Sequence, residues 1–484
     1  MIELELAELI KRVREMKAEG QTLEIKAAHQ GCPRRLYDTL SAFSNQDSGG
    51  ILLFGLDEAR DFEIVGVYDV QDLQKKVNEQ CKQMEPAVRP LFTTLEYQGR
   101  YVVSAEIPSV DVAERPCYYG GVGRVKGSYV RVGDSDEPMT DYEIYSYEAF
   151  RKKYQDDIRV NEKTDMRAID RDALDAYIRT ICDKNPNLAR LPGEDIERFL
   201  NMTVEGQPTL VCTLLFSVYP QMFYPQYTIN AMVVPGYEKG DVGPDGSRFT
   251  DNRRIEGTIP DILAETLKFF CSNLKLKTII DRQTGMRMDR FEYPMLALRE
   301  AVLNALIHRD YSMHTEAMPI EVILYKNRLE IRNPGGLYGR LTLDQLGKMQ
   351  PETRNPVLAR ALETLGVTEN RYSGIPTIQR ELRHAHLPAA VFADSRNEFC
   401  VTFYNGEPEN AFLAGPMRPA NSRQEELLEF CRKPRTRKEI ADFLGLSTIF
   451  YASNQYILPL VEEGRLKMTI PEHPKSRNQR FFRA

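Results

Sequence analysis

At 484 residues the chain is long enough for about three domains, each with its own core. Its 42% hydrophobic and 28% charged residues are ordinary for a soluble protein, and no apolar run reaches the roughly 18 residues of a membrane span, which argues against membrane insertion. A net charge of −6 makes any nucleic-acid surface local rather than global, and eight cysteines with no C-x-x-C pair indicate neither a zinc site nor a disulfide framework. The acidic start, Met1-Ile2-Glu3, differs from a basic secretory signal and predicts an intracellular, cytoplasmic protein.

In chain order, Leu4, Leu6, Leu9, Ile10 and Val13 predict an amphipathic helix over 1–18. An extended stretch at 22–26 and a helix around 34–43 follow. Gly49-Gly50 then turns the chain into a buried strand at 51–56, with 62–67 as its hairpin mate and 100–107 as a further strand. This α+β domain closes with a run over 115–133 in which Arg, Lys, Tyr and Gly interleave. Glycine lets a backbone approach, the cations neutralise phosphates and tyrosine stacks on bases, so Arg115, Arg124, Lys126, Tyr129 and Arg131 are candidate nucleic-acid contacts. An exposed glycine-rich hairpin with solvated charges fits the same run.

Leu23-Glu24-Ile25-Lys26, Ala42-Phe43-Ser44-Asn45 with Gly49-Gly50, Phe54-Gly55-Leu56-Asp57, and Gly127-Ser128-Tyr129-Val130-Arg131-Val132-Gly133 stand in one order. In that order they resemble the Schlafen AlbA-like DNA-binding domain over roughly 15–145. The resemblance implies that Glu19, Glu24 and Asp57 occupy the positions of a nuclease's metal-holding carboxylates, which would take Mg²⁺ or Mn²⁺. Glu19 in a charged helix also reads as merely solvated.

Residues 146–289 read as a polar connector and scaffold, with helices at 172–182, 193–200 and 258–276, strands at 210–216 and 227–234, and an exposed loop at 236–252. Next, Leu296, Leu303 and Ile307 with Ala297, Ala301 and Ala305 recur at helical spacing behind Pro294. Glu300, Asn304 and His308 lie four apart on one stripe of that helix. A carboxylate beside a carboxamide suits Mg²⁺ carried on a polyphosphate; a polar rim on a core helix is the plainer reading. A strand at 317–325 and its hairpin partner at 328–332 deliver Asn333-Pro334-Gly335-Gly336. Arg354 and Arg371 follow as candidates for a phosphate clamp, against ordinary surface charge, and Gly374 opens a helix at 377–382, where a dipole suits phosphate.

Residues 290–405 thereby resemble the GHKL ATPases of gyrase, MutL and histidine kinases, in the branch found beside AlbA-like domains in transcriptional regulators. The resemblance implies that Glu300 orients or activates the attacking water, Asn304 binds Mg²⁺, Asn333, Gly335 and Gly336 lie by the adenine, and Gly374 approaches the phosphates, with His308 and Arg371 as further ATP contacts. Asn333 stands where the family has an aspartate, and a single glycine stands where it has two or three. Nucleotide binding is therefore better supported than hydrolysis.

From 421 to 484, twelve Lys and Arg face eight Asp and Glu, a local +4. Helix-turn-helix and β-wing patterns there resemble a winged helix, with Arg437, Lys438, Ser447 and Thr448 as candidate DNA contacts, while Phe450 and Tyr451 also fit a helix that docks on a protein neighbour. The expected architecture is α+β and multidomain: an AlbA-like domain at 1–145, a connector at 146–289, a GHKL-like α/β sandwich at 290–415 and a winged helix at 416–484. The expected function is an ATP- and DNA-binding transcriptional regulator, closing as a homodimer or higher oligomer on nucleotide. The alternatives are a metal-dependent nuclease acting on DNA or RNA, and an assembly protein with vestigial pockets. No G-x-x-x-x-G-K-[ST] loop occurs, which disfavours a helicase motor.

Overall fold

The computed structural model describes residues 1–280, 287–350, 352–368, 373–395 and 397–406, and beyond them 427–428, 430–443, 457, 460–461, 465–469 and 479–483. Contacts divide the chain into two compact units, Met1–Asn405 and Gly406–Ala484, of mixed helices and sheets, an α+β multidomain architecture as the element pattern predicts.

Helix Glu3–Met16 buries Leu6, Leu9, Ile10 and Val13, a single helical stripe. It covers one face of a four-stranded sheet ordered Leu23–Lys26, Gly50–Phe54, Arg100–Ile107, Leu91–Tyr97. The first pair is parallel, with Leu23 opposite Ile51, and the others are antiparallel. Side chains alternate across each strand. Leu53 and Val102 therefore meet the first helix, while Leu52, Phe54, Val103 and Ala105 meet the helices Tyr37–Ser44 and Val70–Cys81. Gly49-Gly50 is the turn the sequence implies: a Cβ on Gly49 (φ +61°) would lie 2.4 Å from the Ile107 carbonyl oxygen, and one on Gly50 2.3 Å from the Phe43 ring.

Two expectations are corrected. The hairpin expected between 51–56 and 62–67 forms only at its end, where Glu63–Ile64 pairs with Leu56–Asp57 and not with Gly50–Phe54, because the chain turns at Gly55 (φ +107°), whose carbonyl accepts from Val65 and Gly66 at 2.9 Å. The edge strand Leu91–Tyr97 is added, and residues Leu210–Phe216 form a helix instead of a strand. All seven of the latter are buried, so no alternation separates the two conformations, and Thr209 decides for helix by accepting from the Cys212 N–H at 3.3 Å.

Helix Asp141–Lys152, opened by a Thr140–Glu143 capping box, leads into the second half of this unit. There a six-stranded sheet runs Asp251–Ile255, Ile229–Val233, Ile320–Leu324, Arg328–Pro334, Glu398–Tyr404, Val391–Asp394. Only the 229–233 and 320–324 pair is parallel. One face carries Ala231, Val322, Leu329, Ile331, Val401 and Phe403 into a large core against helices Leu210–Phe216, Ile259–Asn273, Met295–His308, Pro356–Thr364 and Gly374–His384. Among the described residues no helix is long and apolar enough to cross a membrane.

In the second unit a three-stranded sheet is ordered Arg435–Thr436, Arg480–Arg483, Leu466–Met468. Thr436 and Glu439 cap helix Arg437–Phe443 reciprocally, at 2.8 and 3.2 Å. Leu427, Cys431, Ile440, Ile457, Leu460, Leu466 and Phe481 form its core.

Candidate functional site

Helix Met295–His308 starts directly after Pro294 and buries Leu298, Ala301, Val302, Ala305 and Leu306. Its remaining stripe, Glu300, Asn304 and His308, stays half-buried because it borders a cavity of about 870 Å³, within the range of small-molecule sites. Asn333 on the strand Arg328–Pro334, Gly335 and Gly336 just past it, and Gly374 at the start of helix Gly374–His384 line the same cavity. Residues spread over 75 positions of sequence thus converge; Arg371 lies outside the described residues.

Two close approaches explain the glycines. A Cβ on Gly374 would stand 2.9 Å from Asn304 Nδ2 and 3.2 Å from its Oδ1, so the helix start and the Asn304 carboxamide face each other with no room for a side chain. Gly335 (φ +95°) lies against Asp310, whose Cβ would be 2.5 Å from a Cβ there. Asn333 is 5% exposed, and its Oδ1 has no hydrogen-bond partner among the described residues. An acceptor so placed suits an amino group brought by a ligand.

The electrostatics of the cavity are set by buried pairs. Arg354 Nη1 sits 2.5 Å from Asp310 Oδ2, and Arg354 Nη2 donates to the Gly336 carbonyl at 3.2 Å. Asp310 also accepts from the Tyr142 hydroxyl at 2.7 Å and the Ser312 N–H at 2.9 Å. Burial pushes the Asp310 carboxyl up, but Arg354 and these donors outweigh it and hold the group below the ordinary carboxylate range. Arg354 is therefore committed to the glycine turn rather than free as a phosphate clamp. Burial, then the charge of Arg354, depresses the His308 imidazole to about 4, so it is neutral at pH 7. Arg299 Nη1 holds Glu300 Oε1 at 3.0 Å.

Sequence reasoning misses Arg299, Tyr142 and the aromatic wall of Phe392 and Phe399, whose rings stack at 6.1 Å. No spacing marks them: Tyr142 comes from the distant helix Asp141–Lys152, Phe392 and Phe399 from the last two strands of the sheet, and Arg299 stands on the same helix but off the Glu300 stripe. A hard-oxygen pair, Glu300 and Asn304, could hold Mg²⁺ on a polyphosphate, an ion that needs only one or two protein ligands when phosphates supply others.

The N-terminal carboxylates are disposed differently from expectation. Glu24 is paired with Arg131 at 2.9 Å and with Lys26, and Asp57 caps the turn Glu58–Arg60 through the Ala59 N–H at 3.1 Å. Glu19 accepts from the Ile25 N–H at 2.6 Å; burial, reinforced by Glu24, raises its carboxyl to about 7. Among the described residues no three His, Cys, Asp or Glu gather to hold a metal.

The basic run also needs correction. Arg131 is 2% exposed and bound to Glu24 and Asp136, each at 2.9 Å, and Arg115 is 5% exposed with Asp47 at 2.8 Å and the Val110 carbonyl at 2.9 Å. Neither guanidinium faces a polyanion, because each neutralises a carboxylate of the domain itself. Arg124 pairs with Glu148, Tyr129 is half-buried, and Lys126 is exposed. In the second unit, Arg437 lies over the Phe481 ring at 5.2 Å and Lys438 is exposed; Ser447, Thr448, Phe450 and Tyr451 lie outside the described residues.

Three family models match parts of the chain. Residues 19–140 match "Schlafen, AlbA_2", residues 317–403 match "Putative ATP-dependent DNA helicase recG C-terminal" (HATPase_c_4), and residues 424–482 match "Filamentation induced by cAMP protein Fic-like, C-terminal domain". The second match contains Asn333, Gly335, Gly336 and Gly374, while Glu300 and Asn304 precede it. No curated protein matches. Among solved structures, the DIP2311 protein of Corynebacterium diphtheriae is 19% identical over 99% of this chain and 96% of its own, with a TM-score of 0.39. The N-terminal domain of a RecG-related "Putative ATP-dependent DNA Helicase" protein of Nitrosomonas europaea is 25% identical over 28% of this chain and 92% of its own, with a TM-score of 0.23. The chain thus carries an AlbA/Schlafen-like domain followed by a RecG-like HATPase_c_4 domain.

Proposed function

We propose that the protein is an ATP- and DNA-binding transcriptional regulator in which nucleotide controls dimer closure and DNA engagement. The cavity on which Glu300, Asn304, His308, Asn333, Gly335, Gly336 and Gly374 converge carries this reading. Asn333 would accept from the adenine amino group, Asn304 and Glu300 would hold Mg²⁺ and a water, and the start of helix Gly374–His384 would face the phosphates. Mg²⁺ supplies neutralisation of phosphate charge there. Turnover is weak on this reading, since Asn333 brings no charge and the second glycine turn is thin.

The RecG-related description of the matched family model supports nucleotide and DNA as ligands, while the lack of a G-x-x-x-x-G-K-[ST] loop speaks against a motor. Coupling between the two ligands is supported by contacts of the cavity with the N-terminal half. Tyr142 bonds Asp310 beneath the glycine turn, and Arg340, on the chain segment lining the cavity, pairs with Asp111 at 3.1 Å. A winged helix at the C-terminus is supported by the capped helix Arg437–Phe443, the antiparallel strands 466–468 and 480–483, and the local charge of +4.

Calorimetry with ATP and Mg²⁺ tests the central claim. Wild type binds, and Asn304→Ala loses binding; equal affinity for the two sinks the assignment. Mass analysis of the oligomer with and without ATP tests closure.

A further inference from the structure

A second cleft, of about 320 Å³, opens in the N-terminal domain between the start of helix Tyr37–Ser44 and the turn Arg124–Gly127. We propose that this cleft, formed by Arg34, Arg35, Tyr37, Tyr119 and Lys126, binds single-stranded nucleic acid, with phosphates on the cations and a base against the tyrosines. The inference rests on the nucleic-acid reading above and deepens it by naming the surface and the strandedness.

The chemistry is built from both walls. The Tyr37 and Tyr119 rings are stacked, centroids 3.7 Å apart and 14° from parallel, and the Tyr37 hydroxyl is fixed by donating to Gln83 Oε1 at 3.0 Å. Both rings are half-buried, packing against the domain core while lining the cleft. Arg34 and Lys126 are exposed and have no ion-pair partner among the described residues, whereas Arg35 is steadied by Asp38 at 2.9 Å. Three cations against one carboxylate make this a positive spot on a chain of net charge −6. Gly127 keeps the wall in place: a Cβ there would lie 2.7 Å from the Tyr119 carbonyl oxygen.

Base–aromatic stacking with backbone neutralisation is how sequence-tolerant single-strand binders work, and a duplex keeps its bases stacked on one another and unavailable. An acidic peptide would use the cations and leave the tyrosine pair without a role. The cleft also explains why the interleaved run matters although Arg115 and Arg131 are buried. Its Lys126 and Tyr119 act with Arg34 and Arg35, some 90 residues earlier in sequence.

The test is fluorescence anisotropy of the full chain with labelled single-stranded DNA, RNA and duplex DNA, each of about twelve nucleotides per strand. Tighter binding of either single strand than of duplex is expected, and the DNA and RNA arms say which is preferred. Arg34→Glu with Lys126→Glu, both exposed, should weaken single-strand binding at least tenfold and flatten its salt dependence. Tyr119→Ala should cost about tenfold, with Tyr119→Phe restoring binding. Unchanged single-strand affinity in the charge-reversal variant overturns the cleft while leaving nucleic-acid binding intact. A preference for duplex, or displacement by an acidic peptide at similar affinity, also overturns it. Failure of wild type to bind any of the three overturns the underlying reading as well.

Discussion

Removing the Arg354 guanidinium by Arg354→Met leaves Asp310 as a buried carboxylate without a counter-ion. The side chains are 6% and 1% exposed and their charged atoms 2.5 Å apart, so water screens neither. Breaking a buried pair from one side costs about 3–5 kcal/mol, and the remaining donors, Tyr142 at 2.7 Å and Ser312 at 2.9 Å, favour the lower end, about 3 kcal/mol. The pH dependence gives a sharper signature. In wild type the Asp310 carboxyl is held below its unfolded value, so its contribution is present above that value and lost as pH falls through the folded one. In the variant burial raises the carboxyl instead, so the penalty is full at neutral pH and relaxes as the group protonates in acid. Urea unfolding of both proteins at pH 7.5 and pH 5 measures this. A deficit below about 1 kcal/mol, the worth of an exposed pair, or one that widens at pH 5, refutes the reasoning.

Further outcomes follow from the same cavity. Gly374→Val places branched carbon where a single Cβ already stands 2.9 Å from Asn304, and should lower ATP affinity at least tenfold in calorimetry while the fold survives. Gly335→Ala meets both a φ of +95° and a 2.5 Å approach to the Asp310 Cβ, and should destabilise by about 1–3 kcal/mol in urea unfolding. His308 has its folded pKa depressed from 6.5 to about 4, so the unfolded state binds more protons between those values and stability should rise with pH across that window. His308→Gln should remove that part of the slope, and an identical pH profile would show that the imidazole is not held neutral.

How much of this is legible in the sequence depends on whether a residue's partner lies near it in the chain. Glu300, Asn304 and His308 can be read because four-residue spacing puts them on one stripe of an otherwise apolar helix, and a core helix has no packing reason to carry such a stripe. Gly335 and Gly374 can be read as turns, but their reason is tertiary: each closes against a residue of that helix or just after it. Long-range pairing is where reading fails. Arg131 looks like a surface cation beside tyrosine and glycine, yet its partner Glu24 is 107 positions away, and Arg354 meets Asp310 only because strand Arg328–Pro334 and its glycine turn lie between them. The strand expected at 210–216 fails for the opposite reason, since a fully buried segment has no polar face to report its period.

The same distinction separates holding a nucleotide from spending it. Holding needs a cavity, an acceptor for a base and a helix start for phosphates, and on the proposed reading the unpartnered Asn333 Oδ1 and the Gly374 approach would serve as acceptor and cradle. Spending needs a carboxylate free to polarise water, and Glu300 here shares its Oε1 with Arg299, whose other nitrogen is anchored on the Val367 carbonyl at 2.5 Å. On the proposed reading, a guanidinium fixed at both ends occupies one of the two carboxylate oxygens that would meet the water, which favours a long-lived bound state over rapid turnover. Arg299→Ala should therefore raise any ATP hydrolysis measured by phosphate release while leaving ATP affinity within a few-fold of wild type. A fall in hydrolysis with unchanged affinity would instead make Arg299 part of the machinery that positions Glu300.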